Sequence, residues 1–227
     1  MELLTPFDLV DMFPDKQRVA VIGNAPTLRG SGMGAHIDDH DVIVRFNDCR
    51  VRGFERDVGG RTDILVCNPY AETRPERRVA DEPLPRAVVV LTPQTRRGER
   101  GAFEAWAGAS RVLFSYTPDI RVNTVERENV SLTTGTYGLS LVHNILRPKD
   151  ILISGFTMFL GEDSNHYWSD EQPSGLKSHA PEREARVFTD VLNSFRCHLK
   201  VTKDVAGIAV QCGRPLKEGV RVMDVPV

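Results

Sequence analysis

The sequence predicts an α/β fold in which a mainly parallel sheet is flanked by helices. Three observations carry that expectation: short β-branched runs recur along the chain, segments of helical periodicity lie between them, and the least ordinary residues follow the ends of the runs. Alternating strands and helices build a parallel sheet joined by crossover helices. Ligands of such sheets sit in the crevice beyond the carboxyl ends of the strands.

The first run is RVAVI, Arg18 to Ile22, which ends at Gly23-Asn24 and reads as a buried strand entering a loop. The pattern returns in DVIVRFN (41–47), TDILV (62–66), RAVVVLT (86–92), RVLFS (111–115), DILISGF (150–156) and LKVT (199–202). Three helices fit between them. GERGAFEAWAG (98–108) is short. TTGTYGLSLVHNILR (133–147) sets Leu139, Val142, Ile145 and Leu146 on one stripe and stops at Pro148. APEREARVFTDVLNSF (180–195) starts with Pro181, where a missing N–H costs little, and buries Val187, Val191, Leu192 and Phe195. Charged, proline-rich stretches at 71–85 and 163–178 read as long loops over the crevice, residues 1–17 as an N-terminal extension, and 18–227 as one domain.

A chain of 227 residues is long enough for one core of useful size. Its 41% hydrophobic and 26% charged residues are those of a soluble globular protein. A net charge of −2 supplies no basic field for nucleic acid or anionic membrane, so any anion must be held locally. The N-terminus, with acids at Glu2, Asp8, Asp11 and Asp15, lacks the basic flank of a secretory signal. No stretch reaches the roughly 18–20 apolar residues of a transmembrane span. Cys49, Cys67, Cys197 and Cys212 lie far apart without metal-ligand spacing and read as buried, reduced thiols. A cytoplasmic location is expected.

Chemistry concentrates at the strand ends. The loop GNAPTLRGSGMG (Gly23 to Gly34) allows close backbone approach and phosphate binding at a following helix, the alternative being a tight turn with no ligand. It lacks the G-x-G-x-x-G spacing of dinucleotide-binding enzymes, which argues against an NAD- or SAM-dependent activity. Asn24 and Asn47 end two successive strands and offer uncharged donors and acceptors suited to a ribose or phosphate, although asparagine also simply forms turns. Thr133, Thr134 and Gly135 open a helix, as an oxyanion pocket or as an N-cap. His166, in NHYWS, and His179, before the last long helix and followed by Glu184, border the same crevice and can serve as general acid and base near neutral pH. His36, His40, His143 and His198 have no comparable setting, His143 being placed on a helix surface. The string Asp39-His40-Asp41 precedes a strand instead of following one, so it reads as a turn and not a metal site.

Several of these segments resemble motifs of the sialyltransferases, glycosyltransferase family 29. VAVIGNAPTLRGSGMGAHIDDHDVIVRFNDCRVRGFERDVGGRTD is similar to the large sialylmotif, and TTGTYGLSLVHNILRPKDILISGF to the small one. HYWS resembles the third motif, and HAPERE has the His-x4-Glu form of the very small motif. The four occur in family order from Val19 to Glu184. The resemblance implies a Rossmann-like GT-A-variant fold and inverting, metal-independent transfer of a sialic acid from a CMP-sugar to a glycan hydroxyl, with no cofactor besides that donor. It implies that Gly23, Asn24 and Asn47 contact the CMP phosphate or ribose. Thr133, Thr134 and Gly135 would hold the ribose and the sugar carboxylate, while Gly155 and Phe156 line the nucleotide pocket. His166 would bind the departing phosphate, His179 would deprotonate the acceptor, and Glu184 would orient other groups. The acceptor would be a glycan or glycolipid, compatible with peripheral membrane contact but not with nucleic acid.

This chain departs from the family in ways that fit a soluble, bacterial-type member. Val19 and Pro148 stand where the motif-linking disulfide would form, and no membrane anchor or stem is recognisable. Ala25 replaces a serine common after the Gly-Asn turn. CMP-Kdo is an alternative donor, sharing the carboxylate and leaving group of CMP-sialic acid. A catalytically inactive CMP-sugar-binding protein is the alternative from another class.

Overall fold

The structure, a computed structural model, describes residues 2–14, 17–68, 82, 84–91, 111–115, 132–161, 165–171 and 180–224. The described strands form one sheet in which every neighbouring pair runs parallel. They are β1 (Glu2–Leu3), β2 (Arg18–Ile22), β3 (Val42–Phe46), β4 (Ile64–Cys67), β5 (Ala87–Leu91), β6 (Arg111–Ser115), β7 (Asp150–Ser154), β8 (His198–Thr202) and β9 (Arg221–Met223). Their spatial order is β1-β6-β5-β4-β3-β2-β7-β8-β9.

From β2 the chain builds outward through β3, β4, β5 and β6. It then returns to place β7 on the other side of β2 and continues outward through β8 and β9. Val19 accordingly faces Val42 in β3 and Ile151 in β7. The strand order reverses between β2 and β7, and this topological switch point is where a parallel sheet opens a crevice.

The central strands are apolar almost throughout because both faces are covered. Alternate residues of β2 enter different cores: Val19 and Val21 one, Ala20 and Ile22 the other. The larger core packs against α1 (Pro6–Asp11), α4 (Thr134–Leu141), α5 (Pro181–Ser194) and α6 (Lys203–Gln211) through Leu9, Leu139, Phe188 and Ile208. The smaller packs against α2 (Gly34–Asp38) and α3 (Glu55–Val58) through Ile37 and Val58, with Leu28 from a 3₁₀ turn at Pro26–Leu28.

Residues 2–14 are integrated into this fold. Glu2 and Leu3 pair with Arg111 and Val112. Thr5 and Asp8 form a reciprocal capping box that starts α1 behind Pro6. Leu9 and Phe13 are buried, and the Arg86 guanidinium lies 4.5 Å from the centroid of the Phe13 ring. The segment expected to be an extension thus supplies an edge strand and part of the core.

The long helix beginning at Thr134 gives way to a π-helical turn at Val142–Leu146. Arg147 then adopts a left-handed conformation (φ 49°) directly before Pro148, which ends the helix. His143 is half-buried, its Nε2 3.2 Å from the Ser194 carbonyl and its ring against Phe195. Cys49 and Cys67 are buried as expected, whereas Cys197 and Cys212 are half-buried, and none of the four is in a disulfide. No helix among the described residues is long and apolar enough to cross a membrane. The helix expected at 98–108, Thr92 and most of the two long loops lie outside the described residues.

Candidate functional site

The pocket lies at the switch point. Gly23 and Asn24 follow β2, Asn47 follows β3, Gly155 and Phe156 follow β7, and Thr133, Thr134 and Gly135 open α4; all eight line it, together with His166. Residues up to 143 positions apart (Gly23 to His166) are gathered because parallel strands put all their carboxyl ends on one edge of the sheet. His179 lies outside the described residues.

Close backbone packing explains the glycines. A Cβ on Gly23 would stand 2.1 Å from the Gly155 carbonyl oxygen, so the loops after β2 and β7 touch main chain to main chain. Gly23 N donates to Ser154 O at 2.8 Å and Ala25 N to Gly155 O at 2.9 Å. A Cβ on Gly135 would stand 2.8 Å from Phe156 Cε1, which presses the start of α4 onto that ring.

The second half of the glycine-rich loop does something else. Gly30 N and Gly32 N donate to the Asp57 carboxylate at 2.7 and 2.9 Å. Gly34 opens α2 against α3, where a Cβ would meet the Glu55 carbonyl at 1.9 Å. The expected phosphate cradle therefore reduces to Gly23, Asn24 and Ala25, since an internal carboxylate already holds the later N–H groups.

Three asparagines end three adjacent strands. Asn24 Nδ2 donates to Phe46 O at 3.1 Å, while its Oδ1 is buried with no partner among the described residues. Asn47 sits at φ 52° and its Oδ1 accepts from Asn68 N at 3.3 Å. Asn68, unremarked in the sequence, follows β4 and donates from Nδ2 to Thr134 Oγ1 at 3.2 Å. The signal that singled out Asn24 and Asn47, an asparagine closing a strand, was present in ILVCN as well.

Thr133 caps α4, accepting from Thr136 N at 3.4 Å, and lines the pocket too, so the capping and oxyanion readings describe the same residue. Glu184, buried in the first turn of α5, lies behind it. Its Oε1 accepts from Thr133 N at 2.6 Å and from Thr136 Oγ1 at 2.7 Å. Glu184 touches the helix that carries the site residues and does not line the pocket.

His166 stacks on Trp168 at 4.5 Å between ring centroids. Burial pushes its imidazole below the ordinary value, against the pull of the Asp48 carboxylate and a hydrogen bond to the Asn24 main chain. Among the described residues no lysine, arginine, aspartate or glutamate lines the pocket. An anion there would meet helix N–H groups, amides and an imidazole.

Backbone strain clusters at the same place. Of the four non-glycine residues with positive φ among those described, Asn47, Met158 and Phe159 line the pocket. Such conformations cost on the order of 1–3 kcal/mol each and gather where a site requires them. Asp39 and Asp41 lie at the opposite edge of the sheet, paired with Arg18 at 2.8 and 3.2 Å, in keeping with their reading as a turn.

The chain's similarity to known proteins agrees with this layout. Residues 11–96 match the family described as Glycosyltransferase family 29 (sialyltransferase).

Over that stretch the chain is similar to sialyltransferases.

A Beta-galactoside alpha-2,6-sialyltransferase 2 of Bos taurus is 33% identical over 90 residues, 39% of this chain and 18% of that protein. A CMP-N-acetylneuraminate-beta-1,4-galactoside alpha-2,3-sialyltransferase of Mus musculus is 39% identical over 66 residues, 29% of this chain and 18% of that one. The matched segment thus spans less than a fifth of these curated relatives. The crystal structure of a mammalian sialyltransferase superposes with a TM-score of 0.56 at 21% identity, covering 91% of this chain and 68% of that one. The likeness in fold to that structure extends over nearly the whole chain, well beyond the segment matched by sequence.

Proposed function

We propose that the chain is an inverting, metal-independent glycosyltransferase that moves a sialic acid from CMP-sialic acid to a hydroxyl of a glycan. One observation carries the reading: the nine described pocket residues singled out by motif converge on one pocket at the switch point. The uncharged wall supports it, since CMP leaves as a monophosphate that helix N–H groups, amides and one imidazole can stabilise in place of a divalent cation. In this scheme Asn24 and Asn47 hold the phosphate and ribose, Thr133, Thr134 and Gly135 the ribose and sugar carboxylate, and Gly155 and Phe156 the base-side wall. Glu184 keeps the start of α4 in register.

His179 takes the proton of the acceptor hydroxyl. The freed oxygen attacks the anomeric carbon on the face opposite the phosphate, and the bond from that carbon to the phosphate oxygen breaks. CMP departs with the electron pair against His166 and the configuration inverts.

Thermal stabilisation tests the reading. CMP should raise the midpoint where UDP and NAD do not, with the same shift in EDTA. Transfer assays with CMP-sialic acid and CMP-Kdo then identify the donor. No response to CMP overturns the reading, and His179→Ala transferring as fast as the parent overturns the assigned base.

A further inference from the structure

We infer that Asp204 is a positioning residue of this site, a clip that joins the loop after β2 to the loop after β7 from outside the pocket. Its relevance to donor binding rests on the CMP-sugar reading above. Asp204 stands in the first turn of α6, where a carboxylate is favoured by the helix dipole. Its Oδ2 accepts from Thr27 Oγ1 at 2.7 Å and from Gly155 N at 3.1 Å. Its Oδ1 accepts from the hydroxyl of Thr202, which is itself buried and lies 3.1 Å from Ser154 Oγ.

Thr27 belongs to the loop that presents Gly23 and Asn24, and Gly155 to the loop that presents Phe156. These loops already touch through the Gly23–Ser154 and Ala25–Gly155 backbone bonds. Asp204 adds a third tie from a different element, and Gly155, at φ 75°, is held by it through its N–H. The carboxylate does not line the pocket. A negative charge behind a wall meant for a phosphate works against binding by Coulomb's law. Its contribution is therefore geometric: fixed walls lower the cost of ordering the site around its ligand.

Charge and geometry separate by substitution in the full chain. Asp204→Asn keeps an acceptor oxygen for Thr27 and Gly155 while removing the charge, and the Thr202 hydroxyl can accept from the new amide. Asp204→Ala removes the clip, and Thr27→Val removes one arm of it.

In the ligand-free protein, hydrogen exchange over residues 23–28 and 154–157 should quicken together in Asp204→Ala, partly in Thr27→Val and little in Asp204→Asn. CMP affinity should fall about tenfold in Asp204→Ala, as expected when the two loops must be ordered on binding, and stay within about threefold of the parent in Asp204→Asn. Exchange that changes only within 203–211, or an Asp204→Asn variant as weak as Asp204→Ala, overturns the inference. So does an Asp204→Ala variant that loses thermal stability while binding CMP as tightly as the parent. If Asp204→Ala does not fold, Thr27→Val decides by the same two measurements. A parent that ignores CMP defeats the reading of the pocket, and the exchange measurements still decide the clip.

Discussion

Gly23 and Gly207 show how one residue type has opposite consequences at different places. Gly23 has the Gly155 carbonyl where a Cβ would go, whereas Gly207, inside α6, has open space around it. Gly23→Ala should destabilise the fold by about 1–3 kcal/mol through overpacking. Gly207→Ala should stabilise it by up to about 1 kcal/mol through helix propensity. Urea unfolding of both variants checks the signs. The first glycine could be picked out in the sequence because it closes a strand. The positive φ of Met158 and Phe159 could not, because neither residue type favours that conformation and only the fold around the pocket imposes it. Asp204 escaped notice for another reason: it acts through Thr27 and Gly155, and nothing in its neighbours along the chain marks a partner 177 positions away.

The elements that could be read in advance were those whose burial is uniform. RVAVI coincides with β2 and RAVVVLT contains β5, since a strand covered on both faces stands out as a β-branched run. β1, α2, α3 and β9 are five residues or fewer, too short for periodicity to show, and are held by contacts distant in sequence. In the proposed scheme both histidines come from the segment between β7 and α5. Free His166 titrates below its ordinary value, chiefly because it is buried. A phosphate placed against it raises that value, so binding takes up a proton. Affinity for a non-titrating phosphodiester, such as the methyl ester of CMP, should therefore strengthen as pH falls and level off below the free-protein value, which burial holds under the ordinary histidine range. Calorimetric titration at several pH values measures the slope, and His166→Gln should flatten it.

For the molecule as a whole, the sheet and the candidate pocket were legible together because one rule links them: a parallel sheet with a reversal in strand order opens a crevice beyond the reversal. The strand order itself was not legible, since it depends on which runs pair and not on what they contain. Nor was the place of the N-terminal segment, whose polar residues hide three core side chains, Leu4, Leu9 and Phe13. Leu9→Ala should cost about 2–5 kcal/mol in urea unfolding, as for any buried leucine. A detached extension would make the same change nearly silent.

The pairing of β2 with β7 has a consequence for the way the molecule is made. Residue 19 pairs with residue 151 in the sheet, whereas β2, β3 and β4 pair within a stretch ending at residue 67. Closing so long a loop is among the slowest steps open to a chain of this size. On a ribosome the first half can gather its strands while one wall of the pocket has yet to be synthesised. Competence to hold a ligand therefore arrives last, and a nucleotide that binds the finished pocket reports completion of the fold.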